Sequence, residues 1–119
     1  MPVKCEPPAQ GRDRVGRWKK AMTFTPDLDE RAAVLSLLGS PTRLRVFYVL
    51  DRLEECCVCD LAEILGVTQS AVSQHLAKFK AYGVVTARRD GQTLFYRLSD
   101  AADIRRLRKL AIEGIEGPS

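Results

Sequence analysis

Two cysteines separated by a single residue are the side chains in this sequence with the clearest chemistry. Cys57 and Cys59 stand at the first positions of a predicted helix-turn-helix. Thiolates are soft ligands that select soft metal and metalloid ions, and the second helix of a helix-turn-helix lies in the major groove of DNA. A soft-ion site at the first helix of a DNA-binding motif indicates a transcriptional switch that an ion controls.

The periodicity of apolar residues predicts a mostly α protein with a small β-hairpin, arranged as a winged helix-turn-helix. Residues 1–26 are expected to be a flexible basic N-terminal arm, with a short helix within residues 13–20. Residues 27–115 are expected to form the domain for DNA binding and dimerisation, and residues 116–119 a C-terminal tail. The predicted helices cover residues 27–38, 41–53, 58–65, 69–82 and 100–115, and the predicted strands cover 84–89 and 93–98. Asp90-Gly91 is the predicted hairpin turn, and Asp100 the predicted cap of the last helix.

The spacing of three small or β-branched residues supports the helix-turn-helix. Ala62 is small where the two helices approach each other, Gly66 permits a left-handed turn, and Val72 faces back into the core. Leu61, Leu65, Val67 and Leu76 are expected to complete this packing. The alternative is a helical hairpin that forms a core and binds no DNA.

Length and charge favour a single DNA-binding domain. The chain has 119 residues and a net charge of +4, and a chain this short gains stability from dimerisation. Residues 67–97 contain five basic and one acidic side chain, which is the electrostatic pattern of phosphate binding. No apolar run approaches the roughly 20 residues of a membrane span, and no secretory signal is evident. The expected location is therefore the cytoplasm, where the four cysteines are expected to be reduced.

The predicted contacts with double-stranded operator DNA lie on the second helix of the motif and on the wing. Glutamine can pair with adenine, serine can bind a base edge or a phosphate, and lysine and arginine bind phosphates. The candidate DNA-binding residues are Gln69, Ser70, Ser73, Gln74, His75, Lys78, Arg88, Arg89 and Gln92.

Several segments together resemble the ArsR/SmtB family of bacterial repressors. They are Cys57-Val58-Cys59-Asp60-Leu61-Ala62, the segment from Thr68 to Leu76, Gly83-Val84-Val85, and Arg89-Asp90-Gly91-Gln92 followed by Tyr96. The resemblance covers about residues 27–115. It implies a dimeric winged helix-turn-helix repressor that leaves DNA when it binds a toxic metal or metalloid. It also implies that the first and last helices form the dimer interface, and that Cys57 and Cys59 match the family's Cys-Val-Cys sensing box.

Cys57 and Cys59 alone do not form a complete set of metal ligands. Two thiolates are too few for a tight Zn or Cd site, which usually has four ligands, so Cys5 on the arm is a candidate third ligand, from the same or the partner subunit. Three thiolates would suit As(III) or Pb(II), and could hold Cd(II) with an added oxygen; Zn(II) is a further candidate, and no organic cofactor is expected. Cys56 is interpreted as a small buried hydrophobe, with a role as a further ligand as the alternative.

Other kinds of site find less support in the sequence. The family's zinc site on the last helix would use Asp100 and Asp103, but its histidines are missing, since His75 is the single histidine. No catalytic triad or phosphate-binding loop is evident, so the chain is not expected to be an enzyme. The rival functions are a thiol-redox or sulfide-responsive repressor on the same fold and a metal-buffering protein that does not bind DNA.

Overall fold

The computed structural model describes the backbone of residues 9–115 and the side chains of residues 13–115. Its elements in chain order are α1 (Ala9–Ala21), α2 (Pro26–Leu38), α3 (Pro41–Leu53), β1 (Cys56–Cys57), α4 (Val58–Leu65), α5 (Gln69–Ala81), β2 (Val85–Asp90), β3 (Thr93–Leu98) and α6 (Ala102–Ile112). Cys5 and the predicted tail 116–119 lie outside the described residues. The chain divides into two compact units, residues 1–31 and 32–119.

The first unit contains α1, which is longer than the short helix predicted within residues 13–20. Arginine, lysine, alanine and glutamine are favourable helix formers, and together they outweigh the cost of about 1 kcal/mol for Gly16 in the helix interior. Asp13 and Arg17 form an ion pair one turn apart, with 3.6 Å between carboxylate and guanidinium. The side chains of Val15 and Trp18 are exposed.

In the second unit, α4 and α5 form the helix-turn-helix, and the packing predicted for it is confirmed. The side chains at its centre are fully buried: Leu61, Val72 and Leu76. Gly66 ends α4 in the left-handed conformation, with φ of 68°, which a side chain would strain. Thr68 caps α5, because its Oγ1 accepts a hydrogen bond of 3.1 Å from the backbone N–H of Ala71. The turn and the second helix are thus fixed by local interactions.

The wing is part of a three-stranded antiparallel sheet with the strand order β1-β3-β2. The sequence predicts only the hairpin of β2 and β3. Strand β1 has two residues, too few to show the alternation that marks a strand. Cys56 lies opposite Tyr96 and Cys57 lies opposite Phe95. The extra strand therefore joins the cysteine segment directly to the wing.

The hairpin turn lies one residue later than predicted. Asp90 is the last residue of β2 and pairs with Thr93, so the turn consists of Gly91 and Gln92 instead of Asp90-Gly91. Gly91 has φ of 64°, a conformation that glycine adopts readily. The strand also begins at Val85 instead of residue 84.

Helix α6 is shorter than predicted, and its cap is different. Its N-cap is Ala101, without a side-chain hydrogen bond, and its last residue is Ile112. Asp100 instead forms an ion pair with Arg97, with 3.7 Å between the charged groups. Gly114, with φ of 88°, follows the helix. Glu113, between the helix and Gly114, already has extended backbone angles, φ −64° and ψ 135°, so the helix ends before residue 115.

The core of the second unit gathers apolar side chains from the end of α2, α3, α4, α5, the sheet and α6. Its largest fully buried members are Phe47, Phe79, Leu50, Leu61, Leu76, Val46, Val72 and Val84. On α3, Phe47 is buried, and Leu44, Tyr48 and Val49 pack against the core while half-buried. Among the described residues, no single helix is both long and apolar enough to cross a membrane; α2 and α3 pass that test only when taken together.

Candidate metal centre and nucleic-acid interface

The thiols of Cys57 and Cys59 converge where the chain passes from β1 into α4. Cys57 is the N-cap of α4 and has extended backbone angles, φ −88° and ψ 165°. Cys59 is the second residue of the helix. This change of conformation brings two side chains that are two residues apart to one side, with 3.1 Å between their sulfur atoms.

Asp60 is a third donor, which was not predicted from the sequence. Its Oδ1 lies 3.9 Å from the sulfur of Cys59, and ligand atoms of Cys57, Cys59 and Asp60 all lie within 4.8 Å of one another. Within the described part of the chain, this is the single group of three such donors. The signal in the sequence was a carboxylate three residues after Cys57, in the first turn of a helix.

The donor set fits a soft ion after the two sulfurs move apart by about 0.7 Å. A Zn–S bond of about 2.3 Å and tetrahedral angles require about 3.8 Å between two ligand sulfurs, compared with 3.1 Å between Cys57 and Cys59. Cys59 and Asp60 are exposed, whereas Cys57 is buried. An ion can therefore approach from solvent, and a four-coordinate site would need one further ligand.

The neighbouring thiols differ in their electrostatic surroundings. For Cys57, a hydrogen bond with the backbone of Asp60 acts to lower the pKa, but the hydrogen bond with Cys59, burial and the Asp60 carboxylate outweigh it and raise the pKa. Burial, and then the nearby Cys57, raise the pKa of Cys56 to about 11. Because metal binding requires the thiolate, Cys56 is the less favourable ligand.

Cys56 also points away from the donor group. Successive residues of a strand face opposite sides of the sheet, and Cys56 lies in the apolar core with the side chains of α3, α4 and α5. This is the position expected of a small buried hydrophobe. Cys5 lies outside the described residues, so its role as a ligand stays a prediction.

The predicted DNA-binding side chains of α5 occupy its outer surface. All except His75 are exposed: Gln69, Ser70, Ser73, Gln74 and Lys78. The opposite side of the helix is buried through Val72, Leu76 and Phe79. The helix therefore presents polar groups of the type that read base edges and phosphates.

His75 is half-buried and contacts Arg43, a residue that was not among those predicted from the sequence. Its Nδ1 accepts a hydrogen bond of 3.4 Å from Nε of Arg43, at the start of α3. Burial, and then the charges of Arg43 and Lys78, lower the pKa of His75. Arg43 thus adds a basic group beside the candidate recognition helix. Its position depends on how α3 packs on α5, which the sequence does not show.

The three wing residues have different surroundings. Arg89 and Gln92 are exposed, and Gln92 lies in the hairpin turn. Arg88 is not at the tip: its guanidinium forms two hydrogen bonds with the carboxylate of Glu55, of 2.6 and 2.8 Å. The hydrogen bond with Arg88 lowers the pKa of Glu55. Arg88 is therefore engaged within the protein although it is exposed, whereas Arg89 and Gln92 are exposed and, in the hairpin, lie nearer its tip.

Comparisons with known proteins agree with this architecture. Residues 40–87 match the family described as bacterial regulatory protein, arsR family. A cadmium resistance transcriptional regulatory protein, the CadC homolog of Staphylococcus aureus, is 34% identical over 96 residues, covering 81% of this chain and 78% of that protein. The homodimeric winged helix-turn-helix DNA-binding domain of Mb0332 from Mycobacterium bovis matches with a TM-score of 0.64 and 30% identity, over 76% of this chain and 84% of its own. The antimony-specific transcriptional repressor AntR matches with the same TM-score of 0.64 and 30% identity, over 73% of this chain and 78% of its own.

These similarities confirm the predicted winged helix-turn-helix and the resemblance to the ArsR/SmtB family. They also confirm that the chain is not an enzyme, because the family consists of DNA-binding transcriptional regulators. The identity to a relative over 81% of the chain extends well beyond the matched segment 40–87. The chain belongs to the arsR family of bacterial regulatory proteins.

Proposed function

We propose that this protein is a metal(loid)-responsive repressor that binds operator DNA as a homodimer and leaves it when a soft ion binds its thiolates. The observation that carries the proposal is the position of the donor group. Cys57, Cys59 and Asp60 converge at the start of α4, the first helix of the helix-turn-helix. Ion binding there acts directly on the element that supports the recognition helix.

The proposed DNA surface consists of the outer side of α5 and the tip of the wing. Gln74 and its neighbours are exposed on α5, and Arg89 and Gln92 are exposed on the hairpin. Arg43 and Lys78 supply positive charge beside α5. Phosphate contacts of this kind position a recognition helix, while the polar side chains that reach base edges give specificity.

The donor chemistry favours Cd(II), Pb(II) or As(III) as the inducer, with Zn(II) as a further candidate. Two thiolates and the Asp60 carboxylate suit Cd(II) or Zn(II). If Cys5 from the N-terminal arm joined Cys57 and Cys59, the resulting three-thiolate set would suit As(III) or Pb(II). The cadmium-resistance name of the S. aureus relative and the antimony specificity of AntR support this range of ions.

The homodimer is supported by exposed apolar side chains on the helices that the family resemblance assigns to dimerisation. Leu35 on α2 and Leu110 on α6 are both largely exposed in the single chain. The Mb0332 domain, with which this chain shares its fold, is homodimeric. A second copy that covers these residues would remove apolar surface from water.

A thiol-redox or sulfide-responsive repressor is the second candidate function. The observation in its favour is the separation of 3.1 Å between the sulfurs of Cys57 and Cys59, from which oxidation to a disulfide of about 2.05 Å needs only a small approach. In this case, oxidation would release DNA without any ion.

Parallel titrations of the reduced full-length protein test the proposal. Cd(II) and As(III) are added separately while ultraviolet absorbance follows thiolate-to-ion charge transfer, and fluorescence anisotropy follows binding to the DNA upstream of the protein's own gene. We expect thiolate-to-ion charge transfer to saturate, and DNA to be released, over the same range of ion concentrations. Release by hydrogen peroxide, with none by either ion, would instead support the redox function.

Replacing Asp60 with asparagine should weaken Cd(II) binding more than As(III) binding. The carboxylate is a charged oxygen ligand that suits Cd(II), whereas As(III) prefers thiolates. Because loss of an outer-shell partner alone costs about 10- to 100-fold in metal affinity, we expect a loss of at least about tenfold for Cd(II) and less than about threefold for As(III). Competition with a chelator of known affinity measures the first value, and charge-transfer titration the second.

Glu63→Gln is the matched control for Asp60→Asn. Glu63 is an exposed carboxylate on the same helix, outside the donor group, so its loss should leave both affinities near wild type. Equal losses for Cd(II) in the two variants would show that Asp60 acts only through its charge and is not a ligand.

Substitutions on α5 should separate base reading from phosphate binding. Gln74→Ala is expected to weaken binding to the specific site by about 1–3 kcal/mol, with little effect on random DNA, if Gln74 pairs with a base edge. Lys78→Ala is expected to weaken binding to both DNAs alike and to reduce the salt dependence by about one unit. Anisotropy at several salt concentrations measures both effects. A loss of the same size on both DNAs for Gln74→Ala would exclude its role in base reading.

A further inference from the structure

Strand β1 places the thiol of Cys57 in the same sheet as the wing. Cys57 lies opposite Phe95 on β3, and Phe95 lies opposite Arg88 on β2. Residues directly opposite each other in antiparallel strands have side chains on the same face, about 5 Å apart. Cys57, Phe95 and Arg88 therefore form one cross-strand row that leads from the donor group to the outer strand of the wing.

An ion pair between Arg88 and Glu55 connects β2, the outer strand of this row, with the segment before β1. The guanidinium of Arg88 lies over the ring of Phe95, 4.8 Å from its centroid. Beyond the ring it meets the carboxylate of Glu55, two residues before Cys57, through two hydrogen bonds of 2.6 and 2.8 Å. This two-bonded geometry fixes the relative orientation of the two groups as well as their distance. The pair thus connects the segment that enters β1 with β2, across β3.

Ion binding at Cys57 acts on β1, the two-residue strand that Glu55 directly precedes. The sulfurs of Cys57 and Cys59 are 3.1 Å apart, and a tetrahedral Zn(II) ion, with bonds of about 2.3 Å, needs about 3.8 Å between them. The difference of about 0.7 Å can be taken up by rotation of the two side chains and by a shift of β1 or of the first turn of α4, the elements that carry the two thiols. Because Cys57 is buried and paired with Phe95, its displacement also acts on the strand beside it.

We propose that the Glu55–Arg88 pair transmits ion binding at Cys57 and Cys59 to the wing, so that Glu55 and Arg88 are positioning residues of the switch. This inference rests on the proposed function. It gives Arg88 a role within the protein in place of the DNA contact expected from the sequence. Since the wing and α5 contact DNA together, a change in the position of the hairpin weakens the combined fit.

The test compares how strongly the ion changes DNA affinity in four full-length proteins. They are the wild type, Glu55→Gln, the charge exchange Glu55→Arg with Arg88→Glu, and the control Asp100→Asn. The control removes the partner of Arg97 on the same hairpin and leaves the Glu55–Arg88 pair intact. Anisotropy with DNA from upstream of the protein's own gene gives the dissociation constant with and without saturating Cd(II). Charge-transfer absorbance gives the Cd(II) affinity of each protein without DNA, and circular dichroism confirms that each one is folded.

The expected result is a selective loss of coupling. In Glu55→Gln, the ratio of the two DNA dissociation constants should fall about two- to fivefold, the range expected for a partly exposed ion pair. Its Cd(II) affinity should stay within about twofold of wild type, because Glu55 is not in the donor group. The charge exchange should recover most of the ratio, and Asp100→Asn should keep it.

Results that contradict this inference differ from results that contradict the proposed function. A wild-type ratio in folded Glu55→Gln, or a ratio that falls equally in Asp100→Asn, would overturn the inference and leave the proposed function standing. A failure of the charge exchange to recover any of the ratio would also overturn it. A wild-type protein that binds Cd(II) without any change in DNA affinity would overturn the proposed function itself.

Discussion

Replacing Cys57 with serine should abolish the release of DNA by soft ions while leaving DNA affinity in the absence of ions near the wild-type value. The same is expected for Cys59→Ser. Each variant removes one of two sulfurs that lie 3.1 Å apart at the start of α4, and a hydroxyl is a poor ligand for soft ions. Ion affinity should fall by more than about 100-fold, because losing even an outer-shell partner costs about 10- to 100-fold. Charge-transfer titration and anisotropy measure the two quantities.

Cys56→Ala is the matched control for these variants. Cys56 is adjacent in sequence, but its side chain lies in the apolar core. We therefore expect a modest loss of stability, visible as a lower melting temperature, with ion affinity and DNA release preserved. Release at the wild-type ion concentration in Cys57→Ser or Cys59→Ser would show that the replaced cysteine is not a required ligand.

Replacing Leu110 with aspartate should prevent the homodimer from forming at concentrations where the wild type is dimeric. Leu110 is 79% exposed in the single chain, and a symmetric interface would bury it twice. Because burying one leucine contributes about 1.5–3 kcal/mol, the dissociation constant of the dimer should rise by at least about 100-fold. Sedimentation equilibrium measures this change. Operator binding should weaken with it, since two half-sites are bound together only by a dimer.

Leu53→Asp is the control for the dimer experiment. Leu53, at the end of α3, is also exposed but lies outside the helices assigned to dimerisation. It should leave the dimer intact. If Leu110→Asp remains dimeric, or if both substitutions disrupt the dimer equally, then α6 does not form the interface that we propose.

Features that depend on one or two neighbouring residues were predictable from the sequence. Gly66 ends α4 in the left-handed conformation, and Thr68 caps α5, because both effects are local. Burial of Val72 and Leu76 followed from helical spacing within the motif. The turn at Gly91 was located only to within one residue, since the last pair of β2 and β3 decides where the strands stop.

Features that depend on distant residues were not predictable in the same way. The Glu55–Arg88 pair joins residues 33 positions apart, and β1 exists only because β3 lies beside it. The position of Arg43 against His75 likewise depends on how α3 packs on α5. Asp60 was missed for a different reason: exposed carboxylates are common in first helical turns, and only the convergence of the thiols distinguishes this one.

The most direct test of the account measures Cd(II) affinity in the free protein and in its complex with the DNA upstream of its own gene. Thermodynamic linkage requires that DNA weaken ion binding by the same factor by which the ion weakens DNA binding. We predict equal factors of about 5- to 150-fold, the range of typical allosteric couplings. A Cd(II) affinity that is the same with and without DNA would contradict the claim that the cysteine site controls DNA binding.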